Sequence, residues 1–349
     1  LGTDNSGTRL VNQLGTAFGF DEWTADIQGG RRWFPHRLAV DIHQAPVGMR
    51  DGDTVHQVEV RIPIVRNVRS TASALNLLSE LNEGAAGEAL VLDEDTGVVS
   101  SEVGVVVHRG NANWINSVTK IVVMAMVDLA EQRAELLAKV LDGAVAEARH
   151  PQLGMRSQPD ELLGIVGGPN WPVRDIADEP GYWDRVRRDV SAILPGPATH
   201  GPTGMSIEVP FLSEVTAAKG ISTGQPAGTA LLTIGTRDVL AWHEGSARVR
   251  VGSGVTFRCG LPLSIENAAM VANELNDSRP ASHPHRLGAW YGRDGTVWLT
   301  LHLPSGALPA DKPSQSAVIT NVALGLLARA RAGLEFVILR SGAAAFGAQ

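Results

Sequence analysis

Ser222 stands at the centre of Gly220-Ile221-Ser222-Thr223-Gly224, the G-x-S-x-G spacing that exposes a nucleophilic serine on a sharp strand-to-helix turn. Its surroundings oppose acyl transfer. Leu212 to Lys219 has no buried-strand pattern, and Pro226 and Gly228 would break the helix that should follow, so a glycine-rich loop is expected. His283-Pro284-His285 offers two imidazoles that could join a metal centre if acidic residues or further histidines converged on them. That stretch reads as an exposed loop ahead of a hairpin. Asp93, Glu94 and Asp95 resemble the opening of a calcium loop, but the twelfth position counted from Asp93 is Gly104, where a bidentate Glu is required. A solvated hairpin turn is the expectation there. Gly252-Ser253-Gly254 lacks the third glycine and the following helix of a dinucleotide fingerprint. No catalytic, metal or cofactor set emerges, so a non-enzyme without a cofactor is expected.

The apolar candidates are of another kind. Trp171, Tyr182 and Trp183 lie close to Arg185, Arg187 and Arg188, and aromatic and Arg side chains are enriched where protein partners anchor. Trp171, Tyr182, Trp183 and Arg187 are therefore the candidate protein-binding residues. The competing role is mortar between two modules, since only 5% of the chain is aromatic. Trp242, Trp290 and Trp298 alternate within strand patterns as core or groove lining, and Trp114 reads as a packing residue. Cys259, the single cysteine, falls in an alternating strand pattern and is expected to be a buried thiol.

These residues sit in a chain that repeats itself. Val58-Glu59-Val60-Arg61-Ile62-Pro63-Ile64-Val65, Ser79-Glu80-Leu81-Asn82 and Arg133-Ala134-Glu135-Leu136 return as Phe257-Arg258-Cys259-Gly260-Leu261-Pro262-Leu263, Asn273-Glu274-Leu275-Asn276 and Arg331-Ala332-Gly333-Leu334. The spacing 133 − 63 = 70 matches 331 − 262 = 69, so Pro63 with Pro262 and Arg133 with Arg331 are expected at equivalent places in two copies of one fold.

The first copy reads as a helix from Thr8 to Phe18, strands Arg32 to His43 and Thr54 to Val65, a helix from Thr71 to Asn82, a hairpin of Glu88 to Leu92 with Val98 to His108, and a long helix from Asn113 to Ala148. The second reads as a helix from Tyr182 to Leu194, strands Met205 to Phe211, Ala230 to Leu240 and Ala247 to Pro262, a helix from Ile265 to Asn276, a hairpin from Leu287 to Leu303 and a helix from Ser314 to Phe336. Between them Gly167-Gly168-Pro169-Asn170-Trp171-Pro172 interrupts both periods. The expected organisation is a first module over 1–150, a linker over 151–181 and a second module over 182–349. Each is an α+β unit with helices on one face of an antiparallel sheet.

This order, the short helix ending in Glu-Leu-Asn between hairpins, and the long Ala/Leu/Arg-rich closing helix resemble the YbjN and type III secretion chaperone-like superfamily, whose actinobacterial members occur as tandem modules. The resemblance spans about Thr8 to Ala148 and Tyr182 to Ile338. It implies a small fold that pairs into dimers and holds client segments or acts as an adaptor, with no catalytic residues. It carries no invariant functional motif.

At 349 residues, 44% hydrophobic and 19% charged, the chain can form two cores. A net charge of −7 gives no general attraction to nucleic-acid phosphates, and the strongly apolar run Ile121 to Val127 is far short of a membrane span. The expected function is a non-catalytic protein-binding scaffold, chaperone or adaptor in the cytoplasm, with an unidentified client protein. Duplication favours an internal pseudo-dimer, whether the chain is monomer or homodimer. The alternatives are a hydrolase of unfamiliar type using Ser222 and a binder of an apolar small molecule between the modules. Because the chain opens at Leu1 rather than Met, a signal or anchor upstream stays open.

Overall fold

The computed structural model of the chain describes residues 5–19, 21–50, 52–166, 171, 182–194, 196–201, 204–211, 228–242, 248–277 and 286–346. Strand β4, Asp53–Arg66, shows how the sequence builds the first sheet. Val58, Val60, Ile62 and Ile64 are at most 1% exposed, while Gln57, Glu59, Arg61 and Pro63 between them stay partly open. The period of two turns the first set to the core and the second to the opposite face.

On one side of β4 lie β3 (Val40–Arg50), β2 (Gly30–Trp33) and β1 (Thr24–Ile27); on the other lie β6 (Val98–Val107) and β5 (Ala89–Asp93). The order is β1-β2-β3-β4-β6-β5, antiparallel throughout, and the two-residue β7, Ala144–Val145, also pairs with β4. Helices α1 (Ser6–Ala17) and α3 (Ala112–Val140) pack against β4, and α2 (Ala72–Glu83) connects β4 to β5. Local capping sets two of the starts. The Thr8 N–H donates to Asn5 Oδ1 at 2.7 Å and the Ala74 N–H donates to Thr71 Oγ1 at 3.1 Å.

Two expectations about this sheet need correction. The run from Arg32 to His43 is two strands, because Pro35 has no N–H to give a ladder. Strand β3 then continues to Arg50 through Gln44-Ala45-Pro46, which lacks the alternation that would reveal it. The long helix stops at Val140 rather than Ala148. Asp142 turns left-handed (φ 50°) and the Gly143 N–H donates to Ala138 O at 2.9 Å, closing the helix with a Schellman-type bond. Gly143 is required there, since a Cβ would lie 2.6 Å from Val65 Cγ1 and 2.8 Å from Arg66 O.

The second sheet contains β8 (Ala198–Gly201), β9 (Gly204–Phe211), β10 (Gly228–Trp242), β11 (Arg248–Gly260), β12 (Ala289–Arg293) and β13 (Thr296–Pro304), in the order β12-β13-β11-β10-β9-β8. Its helices are α4 (Tyr182–Ser191), α5 (Ala268–Asn276) and α6 (Lys312–Phe346). In each sheet a hairpin is followed by a short helix and a second hairpin, and the last strand inserts beside the second strand of the first hairpin. The described residues thus form an α+β structure of two antiparallel sheets and six helices, and apart from β7 the two sheets have the same connectivity.

The equivalences differ by two residues from those the sequence suggested. In the first sheet Leu90, Ser101 and Ile62 stand side by side; in the second Trp290, Leu299 and Cys259 do. Pro63 therefore matches Gly260 rather than Pro262. Arg133 is buried beside Glu88 at 3.7 Å, and its counterpart is Arg329, whose Nη1 donates to Leu287 O at 2.8 Å and Gly288 O at 2.7 Å. Arg331 instead pairs with Glu335 on a half-exposed helix face. The spacing survived because both landmarks moved by the same two residues.

Candidate functional site

The two modules meet where β5 and β12 would otherwise present open edges. Asn82 near the end of α2 takes the N–H of Leu90 at 2.7 Å and gives its amide to Leu90 O at 2.9 Å; Asn276 in α5 does the same for Trp290, at 2.8 Å both ways. Three residues earlier on each helix, a side chain reaches the other module. Asn273 holds the N–H and C=O of Leu92 at 2.9 and 3.0 Å, and the Ser79 hydroxyl holds those of Gly292 at 2.7 and 3.0 Å. Each edge is thus closed by one helix of its own module and one from the other. Strand edges left open invite further pairing, so this closure settles the fate of both.

A second contact lies on the face of the first sheet turned away from α1 and α3. Arg32, Asp41, Arg61 and Glu102 stand in direct register across β2, β3, β4 and β6. Arg32 Nη2 donates to Asp41 Oδ2 at 2.8 Å, and Arg61 Nε lies 3.0 Å from Glu102 Oε1 and donates to Ser100 Oγ at 3.0 Å. From the second module, the Arg286 N–H donates to Gly104 O at 2.7 Å and its Nη1 lies 2.9 Å from Glu59 Oε1. A cavity of about 440 Å³ opens among His43, Gln44, Glu59, Arg61, Glu102 and Arg286. Burial pushes the Glu102 carboxyl up to about 7, opposed by Arg61 and Arg286 and aided by the negative charges of Asp277 and Glu59. Arg286 thus ties Glu59 across the modules, while Arg61 pairs with Glu102 within the first.

Among the described residues, one exposed apolar feature is the arm formed by the outer part of β3 and β4. Strand β3 runs to Arg50, although its pairing with β2 ends at His43; β10 likewise runs to Trp242, although its pairing with β9 ends at Gly235. Each arm extends seven residues past its neighbour. On the first, Val47 is 43% and Met49 69% exposed. Among the described residues, positions 45–49 have strand pairing only to β4, so no strand lies along the outer edge there, while the Arg50 side chain reaches His108 Nε2 at 3.2 Å.

The structure redistributes the residues singled out from the sequence. Trp171, Tyr182 and Trp183 are 4%, 3% and 5% exposed and belong to the main core, where they pack as interior residues. The physical reason is the amphipathic α4, which turns Tyr182, Trp183, Val186 and Val190 inward against α6. Tyr182 and Trp183 meet edge to face at 5.4 Å, and Lys312 lies over the Tyr182 ring at 5.5 Å. Arg187 is partly exposed, 3.9 Å from Asp184. Cys259 is fully buried and its thiol is pushed up to about 12 by desolvation. Gly252, Ser253 and Gly254 lie within β11, paired as strand. The Asp93 to Gly97 turn uses Asp93 Oδ1 to accept from the N–H groups of Asp95 at 3.0 Å and Thr96 at 3.1 Å.

Ser222, His283 and His285 lie outside the described residues. Among the described residues no three His, Cys, Asp or Glu side chains group as a metal site would need, and no helix is long and apolar enough to cross a membrane. The cross-module roles of Ser79 and Asn273 were missed by sequence reasoning, although the repeated Glu-Leu-Asn was their visible signal. Comparisons with protein-family models, with curated proteins and with solved structures found no match.

Proposed function

We propose that the protein is a non-catalytic protein-binding scaffold, a chaperone or adaptor of the type III secretion chaperone-like kind, that holds an extended segment of a client along the outer edge of β3. The observation that carries this reading is the contrast between edges. Those of β5 and β12 are closed by Asn82, Asn273, Asn276 and Ser79, whereas among the described residues positions 45–49 of β3 have no strand on their outer side, beside the exposed Val47 and Met49. An added strand takes affinity from backbone hydrogen bonds and specificity from side chains beside the edge, where Val47 and Met49 are exposed. Pro46, which offers no N–H, limits indiscriminate pairing at the same edge. The repeated helix and hairpin order supports the chaperone-like part of the reading. A cytoplasmic setting belongs to the same proposal, in keeping with a single, buried thiol.

The test is co-purification of the tagged full chain from its native cells with identification of bound proteins by mass spectrometry, followed by titration of the client found. Apolar and backbone contacts are little screened, so binding should persist in roughly 0.5 M salt. It should weaken by at least about tenfold when Val47 and Met49 are both changed to Asp. A client held equally well by that variant, or released by salt, would overturn the reading.

A further inference from the structure

On the face of the second sheet turned away from its core, Thr199, Ser206, Thr233, Arg258 and Thr300 stand side by side across five strands. The next row reads Gly201, Gly204, Gly235, Thr256 and His302. Three adjacent glycines leave the sheet bare, and a cavity of about 370 Å³ opens there, lined by hydroxyls and by Arg258. Gly204 has no alternative, since a Cβ on it would lie 2.4 Å from Ile234 O.

The first sheet holds Arg32, Asp41, Arg61 and Glu102 in the matching first row and His43 and Glu59 in the second. The arginine is therefore kept, as Arg258, while the acids around it have become threonines: Thr233 for Asp41, Thr256 for Glu59 and Thr300 for Glu102. Among the described residues the ion-pair partner left to Arg258 is Glu83 at 3.5 Å, and Glu83 already holds Arg293 at 2.9 Å. Arg258 Nε and Nη2 are buried and make no hydrogen bond, Nη2 facing Glu83, while the side chain as a whole keeps 26% exposure. A surplus guanidinium beside several hydroxyls over a bare floor is a complement to an oxyanion.

We propose that this trough binds a small ligand carrying a phosphate group. Arg258 supplies the opposite charge, and the hydroxyls of Ser206, Thr233 and Thr256, in two neighbouring rows of the same face, offer several polar groups around it. That suits a tetrahedral group better than a planar carboxylate. Thr256 Oγ1 lies 2.9 Å from His302 Nδ1, which positions that hydroxyl.

Calorimetric titration of the full chain with inorganic phosphate, glycerol 3-phosphate and acetate, in phosphate-free buffer, tests the proposal. Saturable binding of inorganic phosphate in the roughly millimolar range or tighter is expected, with acetate at least about tenfold weaker. Glycerol 3-phosphate binding more tightly than inorganic phosphate would identify an ester as the source of the group, and the reverse order would identify the free ion. Arg258→Gln should lose at least about tenfold in affinity. Thr233→Asp restores the acid that the first sheet carries opposite its arginine, so it should abolish phosphate binding while holding or raising the melting temperature. That variant decides the matter if Arg258→Gln folds poorly. Absence of saturable phosphate binding, or unchanged affinity in a folded Thr233→Asp protein, would overturn the proposal.

Discussion

Ser79 and Asn273 occupy equivalent positions in a repeated tetrapeptide, yet their importance lies in the strand each one reaches. Asn273 satisfies both backbone groups of Leu92, a residue 181 positions away, and is itself 5% exposed. Removing such a partner leaves a buried donor and acceptor without replacement, each costing about 1–3 kcal/mol. Asn273→Ala is therefore expected to lower stability by roughly 2–4 kcal/mol in urea unfolding, and Ser79→Ala by somewhat less because a hydroxyl is more readily replaced by water. A loss below about 0.5 kcal/mol for Asn273→Ala would show that the junction does not depend on this closure. The repeat itself was legible in the sequence; the cross-module bonds were not, because no local pattern says which edge an amide will meet. The same holds for Trp171 and Trp183, whose residue type suits an anchor and a core equally until packing decides.

Glu102 gives the residue scale a measurable pH dependence. Its carboxyl sits at about 7 in the folded chain, above the ordinary 4.5, so the folded state keeps a proton that the unfolded state has already lost. The stability contributed by this group is fully present below the unfolded value and is lost as pH rises through the folded one. Denaturant unfolding of the wild type should show a decline across that window that is flattened in Glu102→Gln. An identical profile for the two proteins between about pH 5 and about pH 8 would show that Glu102 is not the group responsible.

At the scale of elements, periodicity located most helices and strands but not where two of them end. The stripe of α3 continues in the sequence beyond Val140, and what stops the helix is the left-handed Asp142 with Gly143 pressed against Val65 and Arg66 of β4. The outer half of β3 was invisible for the opposite reason. Gln44, Ala45, Pro46, Val47 and Gly48 have no buried face, so no alternation was required of them. An arm whose strand pairing runs to one neighbour escapes the rule by which core-facing strands are recognised. The elements that face the core are thus written in the sequence, whereas the arm and the glycine trough, which face solvent, are not. The trough emerged only when the register placed Gly201, Gly204 and Gly235 in one row.

At the scale of the whole molecule, the two modules relate to each other as two subunits would across an isologous contact. Position 79 reaches the strand that includes position 292, and position 273 reaches the strand that includes position 92. An interface of that kind is self-complementary, and a chain supplying both halves has no need of a second copy. The full chain is accordingly expected to be monomeric in solution. A fragment ending at residue 166 keeps α2 and β5 but loses α5 and β12, so Leu92 is left with an open N–H and C=O. A second copy of the same fragment can offer its own Ser79 in place of Asn273, as the intact chain already does at Gly292. The fragment should therefore dimerise, with a mass that falls on dilution in light scattering and with Ser79→Ala shifting it toward monomer. A folded fragment that stays monomeric at concentrations where its Ser79→Ala variant behaves identically would show that the reciprocal closure is a product of tethering rather than of a self-complementary surface.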